Sequence, residues 1–65
     1  MDIKRLRLER NWSQAKLARE AGLSQSFIHD LERGAKTPTV RTLEKLSKAL
    51  QVPIAELLEN KSEKH

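Results

Sequence analysis

The sequence predicts an all-α fold, a bundle of five short helices, from three observations. Apolar residues recur at helical spacing in five segments, as at Leu43, Leu46 and Leu50. Ser or Thr precedes three of these segments in the position of a helix N-cap, and Gly or Asn follows three of them. No segment alternates apolar and polar residues as a half-buried strand does. A chain of 65 residues has room for one domain with a modest core.

The first two helices are predicted on either side of Trp12. Asp2 is the predicted side-chain cap of a helix over about residues 3–10, and Asn11 tolerates the left-handed conformation that ends a helix. Trp12 stands where an apolar residue packs against the entry of the next helix. Ser13 caps that second helix, and Gly22 ends it.

The remaining helices follow with short connections. Ser24 caps the third helix and Gly34 closes it, whereas Thr39 caps the fourth and Pro53 leads into the fifth. Their apolar faces are predicted to be Leu23, Phe27, Ile28 and Leu31; Val40, Leu43, Leu46 and Leu50; and Ile54, Leu57 and Leu58. We expect one domain over residues 1–59 and a polar, disordered tail over residues 60–65.

Composition restricts the classes of function. The chain has no cysteine, which excludes disulfides and thiolate metal sites, and its two histidines, His29 and His65, do not suggest a metal site. No apolar run is long enough to cross a membrane and no signal peptide is evident, so we expect a soluble, cytoplasmic protein without membrane contact. No nucleophile–base pair or Gly-rich phosphate loop indicates an enzyme or a cofactor.

The net charge of +4 is unevenly distributed. Residues 1–41 contain nine Lys or Arg and five Asp or Glu, whereas residues 42–65 contain four of each. The excess positive charge therefore belongs with the first three helices and the loop that follows them. Such a distribution is expected of a face that binds a polyanion, although ordinary solubilising charge remains an equal alternative.

The stretch from Ser13 to Gly34 has the spacing of a helix-turn-helix. About three residues separate its two helices, so the helices must cross steeply and approach closely near the turn. Ala18 is small enough for that approach, and Gly22 supplies the positive φ of the turn. Ile28 and Leu31 bury one side of the second helix of the pair and leave the other side free. The alternative is a generic αα-hairpin.

Three parts of the chain form a wider pattern: SQAKLAREAGLSQ, LERG and TPTVRTLEKLSKAL. This pattern resembles the XRE/Cro-type helix-turn-helix family, which includes phage lambda-like repressors and SinR-like bacterial regulators, over nearly the whole chain from about Ile3 to Leu58. The resemblance implies a lambda repressor-like DNA-binding domain and a sequence-specific transcriptional regulator, a repressor. Phe27 replaces a frequent Tyr of the family, Asn11 a frequent Gly, and Pro53 a frequent Ser-type cap.

In a helix-turn-helix the first turn of the second helix points at base edges in the major groove. Here that turn is Ser24, Gln25 and Ser26. Gln25 is the strongest candidate for base reading, because its amide can pair with both N6 and N7 of adenine. Asp30 lies one turn further on and is a base reader only if it accepts from cytosine N4.

The remaining polar groups around this helix are expected to position the domain on the phosphate backbone. Gln14 begins the second helix, where free backbone N–H groups favour an anion. The predicted phosphate-binding set is Gln14, Phe27, His29, Arg33, Lys36, Thr37 and Arg41. Phe27 is in this set by its position, although it lacks the hydroxyl of Tyr. The resemblance further implies a partly buried ion pair between Arg7 and Glu32 that orients the reading helix.

A single domain of this size covers one half-site. We therefore expect a homodimer on double-stranded DNA with palindromic or repeated half-sites. The alternative function is a protein-interaction module, such as an antitoxin or an assembly adaptor, built on the same bundle. The polar outer face of the third helix favours DNA, because a protein-docking face is expected to expose aromatic and aliphatic side chains.

Overall fold

The structure, a computed structural model, describes residues 1–59. Five helices and no strand occur in this range, which confirms the predicted all-α bundle. The helices are α1 (Ile3–Glu9), α2 (Gln14–Ala21), α3 (Gln25–Glu32), α4 (Val40–Leu50) and α5 (Ile54–Leu58). Their bounds agree with the sequence prediction to within about one residue. The predicted tail, residues 60–65, lies outside the described residues.

The core lies where the inner faces of the five helices meet. α2 packs against α3 and α4, α1 packs against α3, and α5 packs against α4. The buried apolar side chains are Ile3, Leu6, Leu17, Ala18, Ala21, Ile28, Leu31, Leu46, Leu50 and Leu57. Trp12 packs at the margin of this core, as predicted, with the Lys16 Nζ 5.6 Å from the centre of its ring.

Three of the predicted N-caps are formed by side-chain hydroxyls. Ser13 Oγ accepts from the Lys16 backbone N–H at 3.0 Å, and Ser24 Oγ accepts from the Phe27 N–H at 3.1 Å. Thr39 Oγ1 accepts in the same way from Thr42. Each cap satisfies a backbone donor that the first turn of a helix leaves without a partner.

Asp2 holds α1 by a different contact from the predicted side-chain cap. Its carboxylate accepts from Arg5 Nε at 3.0 Å and makes no hydrogen bond that caps the helix. Its backbone N–H donates to the Leu57 carbonyl at 3.1 Å. The start of α1 is therefore tied to α5, near the opposite end of the described chain.

Four helices end in the same left-handed turn, at Asn11, Gly22, Gly34 and Gln51, where φ lies between 57° and 78°. The residue after each turn donates its N–H to a carbonyl five residues earlier, which is the Schellman arrangement. The four bonds run from Trp12 to Arg7, Leu23 to Ala18, Ala35 to Asp30 and Val52 to Ser47, at 2.8–3.1 Å. The turn at Gln51 was not predicted, because Gln has no preference for this conformation.

Two predicted inward side chains are exposed. Val40 is 70% exposed and Leu58 is 55% exposed. Val40 is the first residue of α4 and lies about 90° around the helix from the centre of its apolar stripe. Thr42, on the opposite flank of that stripe, is buried, and its hydroxyl lies 3.1 Å from that of Thr39. In α5 only Leu57 is fully buried, since so short a helix presents a single position to the core.

Substitution of Gln51 by Gly is expected to stabilise the domain by about 0.5–1 kcal/mol. Gly adopts φ > 0 without the ~1–2 kcal/mol that a side chain costs, and the greater entropy of the unfolded chain offsets part of this gain. Denaturant unfolding measures the difference. Lys48→Gly, in the interior of the same helix, is the matched control and should cost ~1 kcal/mol. A destabilised Gln51→Gly variant would contradict the role of the left-handed turn.

Candidate nucleic-acid interface

The second helix of the predicted pair, α3, has one buried side and one free side. Ile28 is fully buried and Leu31 nearly so, and both face the core. Gln25, Ser26 and His29, on the free side, are exposed. The turn from Gly22 to Ser24 produces this orientation, since it joins α2 to α3 with three residues. The first turn of α3 is therefore accessible from solvent along its polar edge.

An open groove of about 490 Å³ runs along this edge. It is lined by Gln14, Gln25, Ser26, His29 and Asp30. The structure thus brings three of the four predicted base readers together with two residues of the predicted phosphate-binding set. All five side chains are polar, and four of them belong to α3.

Ser24 contributes differently from its neighbours. Its hydroxyl oxygen accepts the capping hydrogen bond from Phe27, so this oxygen is engaged in holding the first turn of α3. The hydroxyl proton remains available to a ligand. Base reading by Ser24 therefore stays a prediction beside its observed role as an N-cap.

A forked ion pair ties α1 to the end of α3. Arg7 Nε lies 2.7 Å from Glu32 Oε2, and Arg7 Nη2 donates to Glu32 Oε1 at 3.0 Å. The third guanidinium nitrogen, Nη1, donates to the Trp12 carbonyl at 2.7 Å. Both charged side chains are less than a tenth exposed. The pair is the one that the family resemblance implied.

Gln14 joins this pair. Its Nε2 donates to Glu32 Oε1 at 3.1 Å, a contact that sequence reasoning missed. Gln14 also lines the groove, so one side chain lies between the buried ion pair and the polar edge of α3. Its role at the phosphate backbone stays a prediction. Its amide oxygen and the backbone N–H groups at the start of α2 are the atoms that could meet a ligand.

The surroundings of Glu32 favour its charged form. Burial raises the pKa of Glu32, but hydrogen bonds from Arg7 and Gln14, with the positive charges of Arg7 and Lys4, bring it below its ordinary value. The hydrogen bond to Glu32 raises the pKa of Arg7 above its ordinary value. The two residues therefore form a fully charged pair throughout the neutral pH range.

A second acidic residue, Asp30, forms ion pairs with two basic side chains at the end of α3. Its Oδ1 lies 3.3 Å from Arg33 Nε, and its Oδ2 lies 3.7 Å from Lys36 Nζ. Lys36 also lies over the ring of Phe27, 5.7 Å from its centre. Two residues predicted to meet phosphate thus form ion pairs with a residue predicted to read bases. Thr37 and Arg41 follow in the next loop and in α4, and both are exposed.

Lys4 is a residue of this region that the predicted phosphate-binding set does not include. It lines a cavity of about 250 Å³ together with Gln14, His29, Glu32 and Arg33. Its spacing of three residues from Arg7 was the available signal, because that spacing places both residues on one side of α1.

Neither a metal centre nor a membrane span is found in the described part of the chain. Within residues 1–59, no group of three or more His, Asp or Glu side chains is arranged to hold a metal ion. No helix in this range combines the length and apolar character needed to span a membrane.

Five helices, a three-residue turn between α2 and α3, and an accessible polar edge on α3 define a helix-turn-helix domain. A profile described as helix-turn-helix matches residues 3–57. The chain belongs to this family, of the XRE/Cro type.

Two curated relatives are similar over most of this chain. The HTH-type transcriptional regulator SinR of Bacillus subtilis is 39% identical over 62 residues, which cover 94% of this chain and 56% of SinR. The cryptic phage CTXphi transcriptional repressor RstR of Vibrio cholerae is 39% identical over 56 residues, which cover 86% of this chain and 50% of RstR. The chain therefore spans about half the length of these relatives.

A solved structure shares the fold of this chain and more than a third of its aligned residues. The crystal structure of the master regulator for biofilm formation SinR in complex with DNA matches with a TM-score of 0.83 and 36% identity. The match covers 88% of this chain and 92% of that one.

Substitution of Glu32 by Ala is expected to lower the free energy of unfolding by ~3–5 kcal/mol, because Arg7 would remain buried without its partner. Denaturant unfolding or the melting temperature measures this loss. Glu20→Ala, which removes a carboxylate 3.2 Å from Lys16 Nζ on the exposed side of α2, is the matched control and should cost under ~1 kcal/mol. An unchanged melting temperature for Glu32→Ala would refute the structural role of the pair.

The contribution of Glu32 is expected to disappear at acidic pH. Its pKa is lowered on folding, so the stabilisation is complete above the unfolded-state pKa of ~4.3 and is lost as the pH falls through the folded-state value. The difference in unfolding free energy between the wild type and Glu32→Gln should therefore shrink below about pH 4. Denaturant unfolding between pH 7 and pH 3 at fixed ionic strength checks this. A difference independent of pH would contradict it.

Proposed function

We propose that this chain is a sequence-specific DNA-binding regulator of transcription that acts as a repressor. The observation that carries the proposal is the polar groove along α3, which gathers Gln25, Ser26 and Asp30 beside Gln14 and His29. Family membership and the DNA-bound SinR structure support the same conclusion. The relative RstR is named as a transcriptional repressor, and a domain bound across a promoter blocks access to it.

In the proposed complex α3 lies in the major groove. An α-helix with its side chains is about 10–12 Å in diameter, which fits the ~12 Å width of that groove. Gln25 reads adenine through its bidentate amide, and Ser24 and Ser26 make single, less selective contacts. Asp30 belongs to the same face and completes the proposed base-reading set if it accepts from cytosine N4.

The proposed phosphate contacts lie on either side of α3. Gln14 and His29, which line the protein groove beside α3, contact the phosphates of one DNA strand. The other strand is met at the end of α3 and along the loop into α4 by Arg33, Lys36, Thr37 and Arg41, with Phe27 as the surface beneath Lys36. These contacts fix the position of the domain and carry no sequence information directly.

The proposal includes a homodimer on palindromic or repeated half-sites, because one such domain covers a single half-site. It includes no enzymatic activity and no cofactor or metal. Since a regulator acts where the DNA is, the proposed location is the cytoplasm.

Selection of bound sequences from random duplex DNA, followed by titration against salt, tests the proposal. We expect enrichment of one half-site and an affinity that falls steeply as salt rises. The absence of both an enriched sequence and salt-dependent binding would refute DNA recognition. A salt-dependent affinity without any enriched sequence would support DNA binding but refute sequence-specific recognition.

Two variants separate base reading from phosphate contact. Gln25→Ala is expected to relax preference at one or two base pairs, with a loss of ~1–3 kcal/mol in discrimination. Arg41→Ala is expected to weaken all sequences alike and to reduce the salt slope by about 0.9. Lys48→Ala, an exposed cation two turns further along α4, is the matched control for loss of charge. A change of sequence preference in Arg41→Ala would contradict its assignment to phosphate.

A further inference from the structure

We propose that Asp30 is an internal counterion that holds Arg33 and Lys36 back from DNA phosphates and thereby limits sequence-independent binding. The inference rests on the proposed DNA-binding function and gives one acidic residue of the interface a regulatory part in it. It replaces base reading as the role of Asp30, because a base-reading carboxylate would instead accept a hydrogen bond from the amino group N4 of cytosine.

The first support is the geometry of the carboxylate. Each oxygen of Asp30 faces a different cation, Arg33 Nε at 3.3 Å and Lys36 Nζ at 3.7 Å. The Asp30 side chain is about a quarter exposed, whereas those of its two partners are more than half exposed. The cations are therefore free to leave for another anion, and the carboxylate stays fixed to α3.

The second support is the turn that brings Lys36 back to α3. Gly34 adopts φ +78°, and the Ala35 N–H donates to the Asp30 carbonyl at 2.8 Å. This turn reverses the chain at the end of the helix and returns Lys36 to the side on which Asp30 lies. The backbone turn thus places Lys36 within reach of Asp30, and the Lys36 side chain completes the contact at 3.7 Å.

The third support is the aromatic ring beneath Lys36. The Nζ of Lys36 lies over Phe27, 5.7 Å from the ring centre, and so contacts a π face as well as a carboxylate. Phe27 and Asp30 are three residues apart on α3, and both contact the ammonium group of Lys36. Release of Lys36 to a phosphate therefore requires the loss of both contacts.

These contacts have a consequence for binding to DNA of any sequence. A phosphate must compete with Asp30 for both cations, so each phosphate contact formed is offset by an internal one broken. Because phosphate contacts supply nearly all of non-specific affinity and a large share of specific affinity, the competition lowers both.

The experiment compares Asp30→Asn with Glu20→Gln on three probes: the selected half-site, random duplex DNA and inorganic polyphosphate. Glu20→Gln removes the same charge from an exposed ion pair, Lys16–Glu20, outside the interface. Asp30→Asn is expected to raise affinity for all three probes about 3- to 10-fold more than Glu20→Gln does. It should also steepen the salt dependence on duplex DNA by roughly 1–2 in slope, as two cations become free for phosphates.

The same substitution is then made in a background that lacks both cations, Arg33→Gln with Lys36→Gln. There Asp30→Asn should have no larger effect than Glu20→Gln, because the carboxylate has nothing left to hold. Circular dichroism and the melting temperature verify that each variant is folded.

The outcomes separate the inference from its alternatives. An effect of Asp30→Asn equal to that of Glu20→Gln on every probe would overturn the counterion role and leave only net charge. A change confined to half-sites that differ at one base pair would identify Asp30 as a base reader and overturn the inference. If the wild type binds no DNA, the proposed function fails, and the polyphosphate comparison still decides whether Asp30 restrains the two cations.

Discussion

The ion pair between Arg7 and Glu32 is the contact on which the orientation of α3 depends. It joins α1 to the last turn of α3, and the same guanidinium holds the Trp12 carbonyl at the entry to α2. Gln14 completes the arrangement by donating to the same carboxylate from the first turn of α2. α1, α2 and α3 are therefore linked through one pair of charges, and α2 and α3 line the groove. Any movement of α3 that separates the pair would leave two buried charges without partners. The cost of such charges opposes rearrangement of the three helices.

The apolar core and the ion pair constrain α3 in complementary ways. Ile28 and Leu31 fix how deeply the helix packs, but apolar contacts are non-directional and tolerate rotation about the helix axis. The forked contact at Glu32 has fixed geometry and limits that rotation. Together they hold the polar edge of α3 toward solvent, where Gln25 and Ser26 line the groove.

Many of the basic side chains in residues 1–41 are already paired with acidic side chains of the same protein. The five acidic residues of this range all lie in ion pairs: Asp2 and Glu9 with Arg5, Glu20 with Lys16, Asp30 with Arg33 and Lys36, and Glu32 with Arg7. A count of the sequence shows an excess of positive charge, but only the structure shows which cations are engaged within the protein. The electrostatic attraction of the interface for an anion therefore depends on which cations can leave their internal carboxylates, as well as on net charge.

Local sequence specifies the helices and most of their ends, because caps and left-handed turns depend on neighbouring residues. Ser13, Ser24 and Gly22 behave as predicted for this reason, whereas the turn at Gln51 escaped notice because its side chain carries no preference for it. Periodicity placed Val40 and Leu58 on apolar faces, but only packing showed that neither faces the core. The polar residues of α3 were identified from spacing and from resemblance to a family. Their partners depended on the tertiary structure, as in Gln14 with Glu32 and Lys36 with Asp30. A hydrogen bond or ion pair forms only when two groups come within about 4 Å, and for residues on different elements that distance is decided by the packing of the whole bundle.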